Sequence, residues 1–359
     1  MVHELHTWGS SLSPKQLPPM PDRSSPLLLL VSSLLLLSSA CGDSSGAEAD
    51  TTTGSETGSE TETETETGSA DGNPSLPEFF DQDLFTVSPT VVDCELDNGS
   101  NTQCYQISFS NYQDSSGPFC PETIDDIGGV GVYDGPTNPG FQVLKDTLWN
   151  AMEADGYDIV DDEGNIAMNG MPGDSSCLNM ATMDLTLTFL IPVDPELLDT
   201  PNEIEIVELY GVSLIDGMPL TGHPPSVVDG PPIPGAAGGN IPSLDPCGGH
   251  GDPAGYWHWH LTAENSQSVL DAFDITEVSC TDIPQKTEGL VGFAKDGYPI
   301  YSPLVDGTVP DDLDACNGKF GVTEDFPDGI YHYYAVHEEA PNLPTCIMGA
   351  SALMTLSIE

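Results

Sequence analysis

Fifty-eight acidic residues against six basic ones leave this 359-residue chain with a formal net charge of -52 at pH 7. Such a surface repels phosphate backbones and anionic membranes, which excludes nucleic acid as a partner and favours cations. Hydrophobic residues make up 38% of the chain, enough to bury a sizeable core, and the only basic side chains after residue 41 other than histidine are Lys145, Lys286, Lys295 and Lys319.

Residues 1–40 read as a signal peptide, with Met20, followed by Arg23, as the start that would give it ordinary length. Its apolar run, Leu27 to Leu37, is too short to span a bilayer comfortably and ends in Ser38-Ser39-Ala40-Cys41. That ending resembles a bacterial lipoprotein signal, although Ser38 stands where the family usually has Leu. The resemblance implies lipid on Cys41, membrane contact through that anchor alone, and an extracytoplasmic place at the outer membrane or cell surface of a bacterium. Residues 41–77 form an acidic linker. Thr51 to Gly68 holds only Thr, Gly, Ser and Glu, so no apolar burial offsets the entropy of ordering it, and it reads as a disordered tether.

The folded region divides into a β-rich part, 78–204, and a second part, 205–359, packed with it as one unit. Val87–Cys94 and Gln103–Phe109 read as strands of a hairpin whose turn contains the Asn98-Gly99 pair. A helix is predicted over Pro139–Ala154, with Phe141, Leu144, Leu148 and Met152 on one stripe and Gly156 closing it. Tyr157–Val160 and Ile166–Met168 flank a turn at Asp161–Asn165, and Met183–Ile191 and Ile204–Leu214 read as further strands. Met218–Leu244, rich in Pro and Gly, is predicted to be a long loop. These elements predict a mainly β fold, a β-sandwich-like domain with one helix and long Gly/Pro-rich loops.

The chemistry concentrates in Cys247-Gly-Gly-His-Gly-Asp-Pro-Ala-Gly-Tyr-Trp-His-Trp-His260. On a strand, side chains alternate, so His258 and His260 project to one face and Trp257 and Trp259 to the other. A shorter echo, Tyr331-His332-Tyr333-Tyr334, lies near the C-terminus. Together with Gly289–Tyr301, Leu313–Phe320 and Cys346–Gly349, these blocks resemble the YHYH domain family over about residues 205–350. The resemblance brings no biochemical activity with it. Where the family reads Tyr-His-Tyr-His, the first copy here is Trp-His-Trp-His and the second ends in Tyr334, which removes one nitrogen from any four-histidine site. His337 would replace it only if the chain turns there.

Imidazoles two residues apart can share a metal, and His258, His260 and His332, with His250 as a fourth ligand, are the predicted set, assuming that the second motif lies on a strand adjacent to the first. Such donors suit copper, zinc or nickel. The competing explanation is a hydrogen-bonded histidine cluster inside an aromatic core. Asp306, Asp311, Asp312 and Asp314 offer oxygen ligands for calcium without following an EF-hand spacing, and solvated loop acids explain them more simply. Asp296 and Tyr298 lie in a predicted turn, and the family resemblance makes Asp296 a further site candidate. The function predicted is binding of a divalent metal; the alternatives are a glycan or surface-adhesion module using exposed Trp257, Trp259, Tyr256 and Tyr298, and a metal-dependent enzyme. No Gly-x-Ser-x-Gly elbow is present, which disfavours a serine hydrolase.

Setting Cys41 aside leaves eight cysteines in an exported chain, the arithmetic of four disulfides. The hairpin favours Cys94 with Cys104. The remaining pairs are assigned as Cys120 with Cys177, Cys247 with Cys280, and Cys316 with Cys346, which flank the second aromatic-histidine strand.

Overall fold

A computed structural model describes residues 74–112, 119–170, 174–228 and 238–359. The leader, Cys41 and nearly all of the linker lie outside the described residues. The first hairpin is as expected: β1 (Phe85–Glu95) pairs antiparallel with β2 (Asn101–Ser110) around Gly99, whose φ of 83° needs a residue without a side chain. Asn98 fixes the turn by accepting from the Ser100 backbone N–H at 2.9 Å. The Cys94–Cys104 disulfide crosses the hairpin diagonally, because Cys94 opposes Thr102 and Cys104 opposes Val92.

Next come β3 (Val130–Tyr133) and β4 (Gly140–Val143), an antiparallel pair, and then α1 (Asp146–Asp155). The predicted helix therefore starts too early. Phe141 sits in β4 opposite Val132, and the helix itself begins after Lys145 and ends at Gly156, which is left-handed at φ 97° as expected. The turn at Asp161 is present, its carboxylate accepting from the backbone N–H groups of Glu163 and Asn165, and Val160 bridges to Ile166 across it.

The strands β5 (Ser176–Leu178), β6 (Thr186–Pro192), β7 (Leu197–Glu203) and β8 (Leu209–Ser213) follow, then β9 (Pro219–Thr221) and β10 (Asn240–Pro242). The last two correct the expectation of an unstructured loop over 218–244: β9 pairs with β8 on one side and with the first aromatic-histidine strand on the other. That motif occupies β11 (Gly249–Gly251) and β12 (Trp257–Trp259). A second helix, α2 (Ser266–Ala272), absent from the sequence reading, buries Val269 and Leu270 and precedes β13 (Leu290–Ala294) and β14 (Pro299–Tyr301). The chain closes with β15 (Gly318–Gly321), β16 (Ile330–Tyr334), β17 (Cys346–Gly349) and β18 (Leu356–Ile358).

Two sheets dominate. One has four strands in the order β1-β2-β6-β18; the other has eight, in the order β11-β12-β9-β8-β13-β14-β16-β15. Ile107 and Phe109 of β2 and Leu187, Phe189 and Ile191 of β6 share one buried cluster with Tyr210, Val212, Phe293, Ile300 and Tyr333 of the larger sheet. Phe80 bridges them, its ring 5.3 Å from that of Phe109 and 6.3 Å from that of Phe293. Facing sheets with a common apolar interior make the fold mainly β and sandwich-like, with two α-helices among the described residues. All four assigned disulfides are present, Cys120–Cys177, Cys247–Cys280 and Cys316–Cys346 besides the hairpin pair.

Candidate metal centre

The hairpin β11–β12 sits at one edge of the larger sheet, and its register places His250 directly opposite His258, so both imidazoles stand on one face. His260 continues the strand, its N–H donating to the Gly248 carbonyl at 2.8 Å. The opposite face carries Trp257 and Trp259, 1% and 2% exposed, which join the core between the sheets with ring centroids 5.3 Å apart. The glycines around His250 are steric necessities. A side chain on Gly249 would collide with both indoles, and one on Gly251 would meet the Met180 carbonyl oxygen. Asp216, in the β8–β9 turn, accepts from Trp259 Nε1 at 2.9 Å, and Asn111 accepts from the Trp257 backbone N–H at 2.8 Å. These two anchors hold the strand from its tryptophan side.

On the histidine side three ring nitrogens converge. His260 Nε2 lies 3.2 Å from His250 Nε2 and 3.1 Å from His258 Nε2. His260 Nδ1 lies 2.5 Å from the Gly222 carbonyl oxygen, and a carbonyl only accepts, so Nδ1 carries the proton and Nε2 presents its lone pair to the other two rings. Thr221 Oγ1, at 3.2 Å, supports the same nitrogen. The residues are 7%, 1% and 0% exposed for His250, His258 and His260. Burial, the largest cause in each case, lowers the first two well below 6.5 and His260 to about 4, so the cluster is neutral at physiological pH.

A neutral imidazole lone pair accepts one N–H bond well, whereas here two nitrogens approach the same lone pair at similar distance. An ion at about 2.0 to 2.1 Å from two nitrogens this far apart subtends about 100°, between the roughly 90° of an octahedral face and the roughly 109° of a tetrahedron. His250, His258 and His260 are the one group of three or more His, Cys, Asp or Glu side chains among the described residues whose ligand atoms meet within 4.8 Å. His258 Nδ1 is buried without a hydrogen-bond partner, so the usual outer support is missing at that ring.

His332 is not part of this group, which corrects the predicted ligand set. Its strand, β16, is separated from β12 by β9, β8, β13 and β14, so the two aromatic-histidine motifs lie toward opposite ends of the sheet. There His332 Nδ1 meets the Ile330 carbonyl at 3.0 Å and its Nε2 meets the Tyr334 hydroxyl at 3.0 Å. Tyr334 thus acts as a partner to His332. His337 pairs with Glu338 at 3.3 Å and does not replace the missing ring.

Asp296 is fully buried and structural in its contacts: it accepts from the Tyr333 hydroxyl at 2.6 Å, the Gly349 N–H at 2.9 Å and the Tyr298 N–H at 3.2 Å. The Tyr298 hydroxyl donates to the Pro195 carbonyl. Asp306, Asp311, Asp312 and Asp314 form no ligand group among the described residues: Asp312 pairs with Lys319, and Asp314 accepts from the Tyr331 hydroxyl and the Cys316 and Gly318 N–H groups. With Trp257 and Trp259 buried, the exposed aromatic platform expected of a glycan module does not form at this motif. Thr221, Gly222, Asp216 and Asn111 were invisible to sequence reasoning, because each reaches the motif through strand pairing or a turn distant in sequence.

The sequence profile described as YHYH protein matches residues 188–309 and 304–349, a stretch that begins within β6 and takes in both aromatic-histidine motifs. No curated protein matches, and no solved structure does.

Proposed function

We propose that this chain, which belongs to the YHYH family through residues 188–349, is an extracytoplasmic, lipid-anchored metal-binding protein whose ligands are His250, His258 and His260. The convergence of three neutral Nε2 atoms carries the reading. Histidines serving only to fill a core would satisfy both ring nitrogens with carbonyls or hydroxyls, as His332 does, whereas here the three Nε2 atoms face one another. Copper, zinc and nickel suit an all-imidazole shell, and a bound nitrogen must be unprotonated, a state the burial of these rings already secures. The four disulfides support an oxidising compartment, and the Ser-Ser-Ala-Cys41 ending supports a lipid anchor.

Elemental analysis of the untagged chain, desalted after exposure to copper, zinc and nickel salts, tests the proposal against His258→Ala/His260→Ala. One ion per chain is expected in the wild type and none in the double variant. A wild type that retains no ion while the variant merely melts earlier would make the cluster a core element. Mass spectrometry of the mature N-terminus tests the anchor, since an unmodified chain, or one that does not begin at Cys41, contradicts it.

A further inference from the structure

The charge at the histidine cluster departs from that of the chain as a whole. In a sequence with 58 acidic residues, no carboxylate among the described residues joins the group of ligand atoms formed by His250, His258 and His260. Asp252, in the turn of the same hairpin, acts on the Tyr256 hydroxyl instead. An ion held here is held by neutral donors in a site almost without solvent.

Resting on the metal-binding reading, we infer that the cluster selects a soft monovalent ion, cuprous copper, over the divalent ions that the same nitrogens hold elsewhere. The penalty for moving an ion from water into a low-dielectric interior grows with the square of its charge, so a divalent ion pays about four times what a monovalent ion of similar size pays. Its attraction to the acidic surface grows only in proportion to charge, and salt screens that attraction beyond about 10 Å. Without an anionic ligand the squared cost decides. Imidazole suits copper.

The test is an anaerobic competition on the full chain, with Cu(I) delivered from a chromophoric chelator and Ag(I) as the probe that does not change oxidation state. Zn(II), Ni(II) and Cu(II) are run in parallel, and His250→Ala and His258→Ala are checked for fold by circular dichroism. One Cu(I) or Ag(I) per chain is expected, bound at least about a hundredfold more tightly than Zn(II) and lost in both variants. An X-ray absorption edge of cuprous type on the loaded wild type reads the same conclusion without any substitution. Zn(II) or Ni(II) bound one per chain through the histidines, as tightly as Ag(I), would overturn the monovalent selection and leave the metal-binding reading standing. Binding of none of these ions at the histidines would remove both.

Discussion

Replacing Asp296 with Asn separates the two aromatic-histidine motifs into a site and a support. Asp296 ties β16 to β17, accepting from the Tyr333 hydroxyl and the Gly349 N–H, and the same Tyr333 hydroxyl accepts from the Met348 N–H at 2.6 Å. Burial pushes its carboxyl from an ordinary 3.8 up to about 6, against the pull of its three donors. A carboxyl raised in the folded state contributes stability below its unfolded value and loses that contribution as pH climbs through the folded value. The shift of about two units corresponds to about 3 kcal/mol, lost between roughly pH 4 and pH 7. Asn has no such titration, but its amide N–H groups face groups that already donate, which costs about 1 to 3 kcal/mol at every pH. In urea denaturation of the wild type and Asp296→Asn with disulfides intact, the stability advantage of the wild type should therefore be largest below the unfolded value, near pH 3.5. It should shrink by about 3 kcal/mol by pH 8. Curves that keep a constant separation across this range would refute the assignment of a titrating, buried Asp296. Metal content should be the same in both chains.

His332→Gln should leave metal stoichiometry unchanged while lowering stability by about 1 to 2 kcal/mol, because its ring bonds Ile330 and Tyr334 far across the sheet from β12. Elemental analysis and a urea curve measure the two effects, and loss of metal would restore His332 to the ligand set. Trp259→Phe removes the N–H that meets buried Asp216 and shrinks a core ring, which should cost about 2 to 4 kcal/mol with the metal retained. An unchanged melting temperature would show that the Asp216 contact does not anchor the strand.

The most legible features were local ones. Alternation along Trp257–His260 placed the imidazoles and indoles on opposite faces, and Asn98-Gly99 marked a hairpin that then constrained Cys94 and Cys104. Errors arose where a non-local pairing overrode a local pattern. Phe141 fits a helical stripe with Leu144 and Leu148, yet Gly140–Val143 pairs with Val130–Tyr133, and the helix is left to start after Lys145. Pro219–Thr221 looks like loop, yet it lies between β8 and β12 in the sheet. His332 was joined to the wrong site for the same reason. Two motifs of similar sequence suggest neighbouring strands, but strand order is decided by the intervening chain, which inserts four strands between them. His250 entered the predicted set only as a fourth ligand, and its cross-strand pairing with His258 gives it a more central role.

The most direct measurement of the proposed metal centre is X-ray absorption fine structure on the metal-loaded chain, with His258→Ala/His260→Ala beside it. Three imidazole nitrogens at about 2.0 Å, with their outer-ring scattering, should appear in the wild type and vanish from the double variant. A shell of oxygen ligands, or a spectrum unchanged by the substitutions, would place the ion elsewhere and contradict a site built from His250, His258 and His260.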